Sequence, residues 1–228
     1  MLEKHICAYP GRKSMEAKIN YDRMGTEILA GPEWSGRRPS LLLHSCCAPC
    51  STAALERLCE SFDVTVLYYN PNIFPRQEFE KRLTEQRRLL SELPASIGFL
   101  GSEYRPEEFF DAVHGLENAP EGGERCRICF RLRLERCARL AAENGFDFFT
   151  TTLTLSPLKD AQLLNRLGIE LGEKHGVPFF PSDFKKRDGY LRSLALSRQY
   201  GLYRQDYCGC VYSRRRDAAQ TGSDGAPE

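Results

Sequence analysis

The chain has almost no net charge, no long apolar run and no internal repeat, and each lack removes a class of protein. Its 228 residues carry 32 Lys and Arg against 31 Asp and Glu, a net charge of +1. Global charge therefore points to neither a polyanion nor a cationic partner. No segment approaches the roughly 20 consecutive apolar residues of a membrane helix, and the start, MLEKHICAYPGRKSMEAK, lacks the apolar stretch of a signal peptide. The expectation is a soluble, cytoplasmic protein with no membrane partner.

What the chain does have is cysteine, ten in all, beside 41% hydrophobic residues. A disulfide scaffold belongs to small secreted chains. Tight cysteine groups in a reducing compartment instead favour metal or redox chemistry. The length suits one sizeable core, placed here as a single α/β catalytic domain over residues 38–213. Residues 1–37 mix charges, Gly and Pro without a sustained period and read as a flexible N-terminal extension with little role in the core. Residues 214–228 read as a polar C-terminal tail.

Within the domain, short apolar runs alternate with longer amphipathic ones, the pattern of a parallel sheet covered by helices. Strands are expected at Ser40–His44, Val64–Tyr69, Ser96–Leu100, Phe146–Thr151 and Val177–Phe180, all rich in aliphatic or aromatic residues. Helices are expected at about Ser51–Ser61, Arg76–Leu93, Pro106–Leu116, Arg125–Asn144, Pro157–His175 and Gly189–Tyr200, three of them ending at Gly145, Gly176 or Gly201. This order predicts a Rossmann-like domain whose ligands sit beyond the carboxyl ends of the strands.

Three cysteine groups carry the chemistry. The first, Cys46-Cys47-Ala48-Pro49-Cys50, follows the strand SLLLH, and the positive end of the ensuing helix stabilises thiolates beside it. The second, Cys126 and Cys129, opens another helix on one face, with Arg125, Arg127 and Arg131 as neighbouring positive charge. The third, Cys208-Gly209-Cys210, allows only a small, strained and reducible disulfide ring, eased by the glycine, which suits an electron relay. Cys7, Cys59 and Cys137 stand alone and read as packing residues. Spacing leaves a structural zinc ion and an iron–sulfur cluster both open, with the adjacency of Cys46 and Cys47 unusual for zinc.

Taken with LLLHSCCAPCS, YYNPNIFP, TTTLTLSPLKD and FFPSDFKKRDGY, these groups make the chain resemble the QueH family of epoxyqueuosine reductases from about Pro39 to Tyr212. The resemblance implies a HUP-type (adenine nucleotide alpha hydrolase-like) parallel sheet whose usual phosphate-gripping turn is occupied by cysteines. The chain agrees, having no Gly-rich loop there. It implies reduction of epoxyqueuosine at the wobble position of tRNA, the last step of queuosine biosynthesis, with electrons from an unidentified donor. It further implies that Cys46, Cys47, Cys126 and Cys129 hold a [4Fe-4S] cluster and that Cys208 and Cys210 form the redox-active pair. Cys50 is left to bind an additional mononuclear iron, to approach the substrate or to pack.

A proton must accompany the leaving oxygen, and Lys159 and Asp183, with Asp160, Tyr190 and His44, are candidate donors. Candidate phosphate contacts are Arg125, Arg127, Arg131 and Arg133, the run Lys185-Lys186-Arg187, and Arg214-Arg215-Arg216. Tyr68, Tyr69 and Phe74 are candidates to stack on an extruded base. Two rivals stay open: a zinc-held RNA- or partner-binding module without redox chemistry, and a nucleotide-dependent tRNA-modifying enzyme of the same broad fold.

Overall fold

The computed structural model describes residues 18–34 and 36–213. Cys7, most of the first half of the expected extension, and the tail with Arg214, Arg215 and Arg216 lie outside the described residues. The strands are β1 (Ser40–His44), β2 (Asp63–Tyr68), β3 (Gly98–Gly101) and β4 (Phe148–Thr151), and the helices are α1 (Tyr21–Leu29), α2 (Ala48–Leu58), α3 (Arg76–Glu92), α4 (Pro106–Ala112), α5 (Glu124–Glu143), α6 (Ala161–His175) and α7 (Gly189–Gln199). The four strands are all parallel in the order β3-β2-β1-β4. No helix among the described residues is long and apolar enough to cross a membrane.

The period of two along β1 builds the two halves of the core. Leu41 and Leu43 face one side, packing with Ala54 and Leu55 of α2, Phe148 of β4 and Leu196 of α7. Leu42 faces the other, packing with Leu134 and Cys137 of α5 and Leu164 of α6. Both faces of β1 being covered explains its unbroken Leu41-Leu42-Leu43 run.

Several boundaries differ from expectation, some for a clear local reason. α2 begins at Ala48, three residues early, because Pro49 is compatible with the first helical turn; Cys50 thus lies inside the helix. α6 begins at Ala161 because the Asp160 carboxylate caps it, accepting from the N–H groups of Gln162 and Leu163. The expected fifth strand reduces to one bridge between Phe149 and Phe179, flanked by Pro178 and Pro181, which have no N–H to give a ladder. α4 stops at Ala112 rather than near Leu116.

A further difference is larger. The segment expected as a flexible extension contains α1, with Tyr21 only 2% exposed, and Trp34 packs on Phe148 with ring centroids 5.1 Å apart. Asp22 ties α1 to Arg57 of α2 and to Arg187. Charge density near the chain start masked a short amphipathic helix.

Gly25 tests this docking. A Cβ there would lie 2.5 Å from the Pro181 carbonyl oxygen. On a free helix Gly25→Ala would stabilise by up to about 1 kcal/mol. On the docked helix it is expected to destabilise by about 1–3 kcal/mol through overpacking, read by thermal and urea denaturation.

Candidate metal centre

The end of β1 sets the site. Ser45 extends the sheet by donating its N–H to the Leu67 carbonyl, and its hydroxyl contacts those of Ser51 at 2.6 Å and the Gln86 amide oxygen at 2.7 Å. Ser51 also donates to Gln86, at 2.9 Å. This buried polar knot holds the turn so that Cys46 precedes α2, Cys47 caps it and Cys50 sits in its first turn. Their three Sγ atoms lie within 4.8 Å of one another, with Cys46 and Cys47 at 3.7 Å.

The three thiols do not share a proton affinity. Cys46 is held well below the ordinary thiol range, first by bonds from Cys47 and Cys50, then by the Lys159 charge and the Thr152 hydroxyl. Cys47 is pushed up to about 12, chiefly because it donates to Cys46, although Gln205 offsets this by donating to its Sγ at 2.9 Å. Cys50 is raised for the same reason, by both neighbours. Within the triad, Cys46 is therefore the thiol that gives up its proton most readily.

The triad opens on a cavity of about 480 Å³ at the carboxyl ends of the strands, which Cys46 and Cys50 line together with Cys126, Cys129, Cys208 and Cys210. Cys126 lies in the first turn of α5 and accepts the Gly122 N–H at 3.3 Å. Burial raises both thiols of this pair, Cys129 to about 12, against the lowering pull of Arg125 on Cys126 and of Arg133 on Cys129. Cys208 and Cys210 are free thiols, brought over the cavity where the Gly209 carbonyl accepts from the Phe74 N–H at 2.9 Å. Gly209 has φ +107°, and an added Cβ would lie 2.9 Å from the Arg82 guanidinium, so the middle residue answers to two constraints at once.

All three cysteine groups thus meet in one cavity. The compact triad, however, is completed by Cys50, not by Cys126 or Cys129. Buried polar atoms in the lining residues lack partners: Arg82 Nη2, Arg133 Nη2, Asn72 Oδ1 and Gln205 Oε1. Such orphans at a thiol-rich wall fit a charged, polar occupant, and the donor set suits a thiophilic metal or cluster.

The proton-donor candidates separate. Lys159 and Tyr190 line the cavity. Burial would lower the Lys159 ammonium, but Cys208, Cys46 and Cys50 outweigh it and raise it. Asp183 is not among the lining residues and pairs with Lys185 at 3.1 Å, and Asp160 is used as a helix cap. His44 is fully buried between Thr151 and the Tyr69 carbonyl, its pKa lowered to about 4 by burial and then by Arg133, so it is a neutral packing residue.

The basic candidates also divide. Arg125 and Arg133 turn inward, 3% and 2% exposed, Arg125 donating to the Leu116 and Glu117 carbonyls. Arg131 pairs with Glu170, Lys186 with Asn20 and Arg187 with Asp22. Arg127 is exposed. Tyr68 is buried and donates to the Phe79 carbonyl, and Tyr69 is buried and bonds Glu108, which leaves Phe74 as the exposed aromatic. Cys137 packs beneath β1 and β4, its Sγ 3.7 Å from the Leu42 carbonyl oxygen. Half-buried Cys59 ends α2.

Sequence reasoning missed Arg82, Gln86 and the inward course of Arg133. A signal existed: Phe79, Arg82, Gln86 and Leu89 are the buried stripe of α3, so two polar residues fall where helical period demands apolar ones. Arg133 stands four residues after Cys129, on the same helical face.

In metal-free protein under anaerobic conditions, iodoacetamide is expected to modify Cys46 before Cys47 and Cys50, as read by peptide mass mapping. Because its pKa is lowered, the Cys46 rate should persist as pH falls below about 8.5, the ordinary thiol value. Labelling of Cys47 should set in only at higher pH; equal rates at all three would contradict the thiolate assignment.

A family model described as epoxyqueuosine reductase QueH matches residues 41–216. Among similar proteins, the "Epoxyqueuosine reductase QueH" of Streptococcus pyogenes serotype M1 is 45% identical over 202 residues, covering 87% of this chain and 79% of the relative. That of Staphylococcus epidermidis is 43% identical over 207 residues, covering 88% and 87%. That of Thermotoga maritima is 36% identical over 177 residues, covering 76% and 90%. With a family match over most of the chain and relatives at this identity, the cysteine-lined cavity belongs to an oxidoreductase of queuosine biosynthesis, and the chain is a member of the QueH family of epoxyqueuosine reductases.

Proposed function

We propose that the chain acts in the cytoplasm on tRNA carrying epoxyqueuosine at the wobble position and removes the epoxide oxygen to leave the cyclopentene of queuosine. The reaction takes two electrons and two protons and releases water. The observation that carries this reading is the convergence of six thiols from three separate segments on one cavity. The sheet order β3-β2-β1-β4 supports a Rossmann-like, HUP-type fold for a single catalytic domain, with the site at the carboxyl ends of its strands.

Cys46, Cys47, Cys126 and Cys129 would hold a [4Fe-4S] cluster, and Cys50, facing the same space, is free for an additional mononuclear iron. Bound there, such a centre supplies single electrons and a Lewis-acidic iron suited to an epoxide oxygen. Cys208 and Cys210 relay reducing equivalents from an external donor. Closing their disulfide releases two electrons and two protons, the number the epoxide consumes. Arg82, donating toward the Cys208 carbonyl at 3.5 Å, positions that loop. Lys159 delivers a proton to the departing oxygen, being kept cationic by the thiolates around it. Phe109, Phe130, Leu153 and Leu155 give the cavity apolar walls that limit water. Arg127 and Phe74, both exposed, are the candidate contacts for RNA phosphate and base.

Protein purified without oxygen is expected to contain about four iron and about four sulfide per chain, lost in Cys46→Ala and Cys126→Ala. Cys208→Ser and Cys210→Ser should keep iron and sulfide while losing turnover on epoxyqueuosine tRNA by about 100-fold or more. Stoichiometric zinc without sulfide after anaerobic reconstitution would overturn the cluster reading and favour a zinc-stabilised RNA-binding domain.

A further inference from the structure

Arg133 is one of the largest fully buried side chains of the protein, 2% exposed. Its Nε donates to the Cys129 carbonyl at 3.2 Å, and its guanidinium lies 5.7 Å from the Phe130 ring. Nη2 has no hydrogen-bond partner, and among the described residues no carboxylate pairs with it. A buried, unpaired cation is costly, on the order of several kcal/mol, unless negative charge stands nearby.

The surroundings supply candidates for that charge of one kind only. Arg133 lines the same cavity as the thiols of Cys46, Cys129 and Cys208, which belong to three different cysteine groups. Lys159 enters the same cavity from the loop before α6, and its pKa is raised by Cys208, Cys46 and Cys50. Two cations thus address the thiols from two sides, while Glu121 and Asp206, the acids of the lining, are exposed.

We infer that Arg133, together with Lys159, is the fixed counter-charge of the metal centre held by these cysteines and favours its more negative, reduced state. This rests on reading the cavity as a cysteine-held metal site. Adding one electron makes the centre more negative by one charge. A guanidinium locked by packing stabilises that charge without reorganising. Arg133 is a positioning and tuning residue here, separate from any contact with substrate.

The test uses full-length wild type, Arg133→Gln, Arg133→Lys and Lys159→Met, reconstituted anaerobically with ferrous iron and sulfide. Each is titrated with dithionite and mediators while the reduced signal is followed by EPR. For Arg133→Gln the reduction equilibrium should fall about tenfold or more, which for a one-electron couple is about 59 mV more negative. Arg133→Lys, which keeps the charge, should lie closer to wild type, and Lys159→Met should shift in the same direction as Arg133→Gln. Arg133→Gln with wild-type iron content and wild-type potential overturns the inference. If that variant does not fold, Lys159→Met decides, and an unshifted potential there overturns it equally. Should wild type take up zinc but no sulfide, the cluster reading alone fails. The counter-charge is then read by chelator competition, where Arg133→Gln should bind zinc roughly tenfold more weakly and equal affinity overturns the inference.

Discussion

The hydrogen-bonded knot of Ser45, Ser51 and Gln86 is the constraint on which the rest of the site depends. It joins the last sheet bond of β1 to the first turn of α2 and to the middle of α3, all without access to water. Polar groups buried this way are satisfied only in one arrangement, so the turn between them has little freedom. The three thiols of the first group inherit that rigidity. Their close spacing is a property of the scaffold.

Around this turn, charge is sorted by depth. The chain as a whole is nearly neutral, yet Arg82, Arg125, Arg133 and Lys159 all line the cavity, while many of the outer arginines are tied to acids on the surface. The consequence is a locally cationic interior with thiols as its main acidic groups. A net-charge count cannot see this, because it averages over residues that water already screens.

Much of the architecture was legible because the central strand is apolar on both faces and the elements are bounded by Gly, Pro or charged turns. Ser40–His44 and the helix opening at Arg76 are read directly from that pattern. What was not legible has physical causes. The docking of α1 depends on Gly25 fitting against Pro181, a contact between distant segments that no local period reveals. The same holds for the site: grouped cysteines announce themselves by spacing, but whether Arg133 faces outward to a phosphate or inward to a thiol depends on how α5 lies against the sheet. Similarly, the place of Cys50 in the triad follows from α2 beginning at Ala48, a boundary that shifted by one helical turn.

Placing Cys46 and Cys47 with their sulfurs 3.7 Å apart, at a helix start and beside a cavity lined by five more thiols, also creates a kinetic hazard. Dioxygen or peroxide attacks thiolates first, and every sulfenate formed here has a neighbouring thiol ready to condense with it. Cross-links between groups would close the cavity with the wrong pairing, and each would remove two prospective metal ligands. The order of events after synthesis then matters: a chain that meets its metal before an oxidant is protected by coordination, and one that meets the oxidant first becomes dependent on the cell's thiol-reducing systems to regain a usable site.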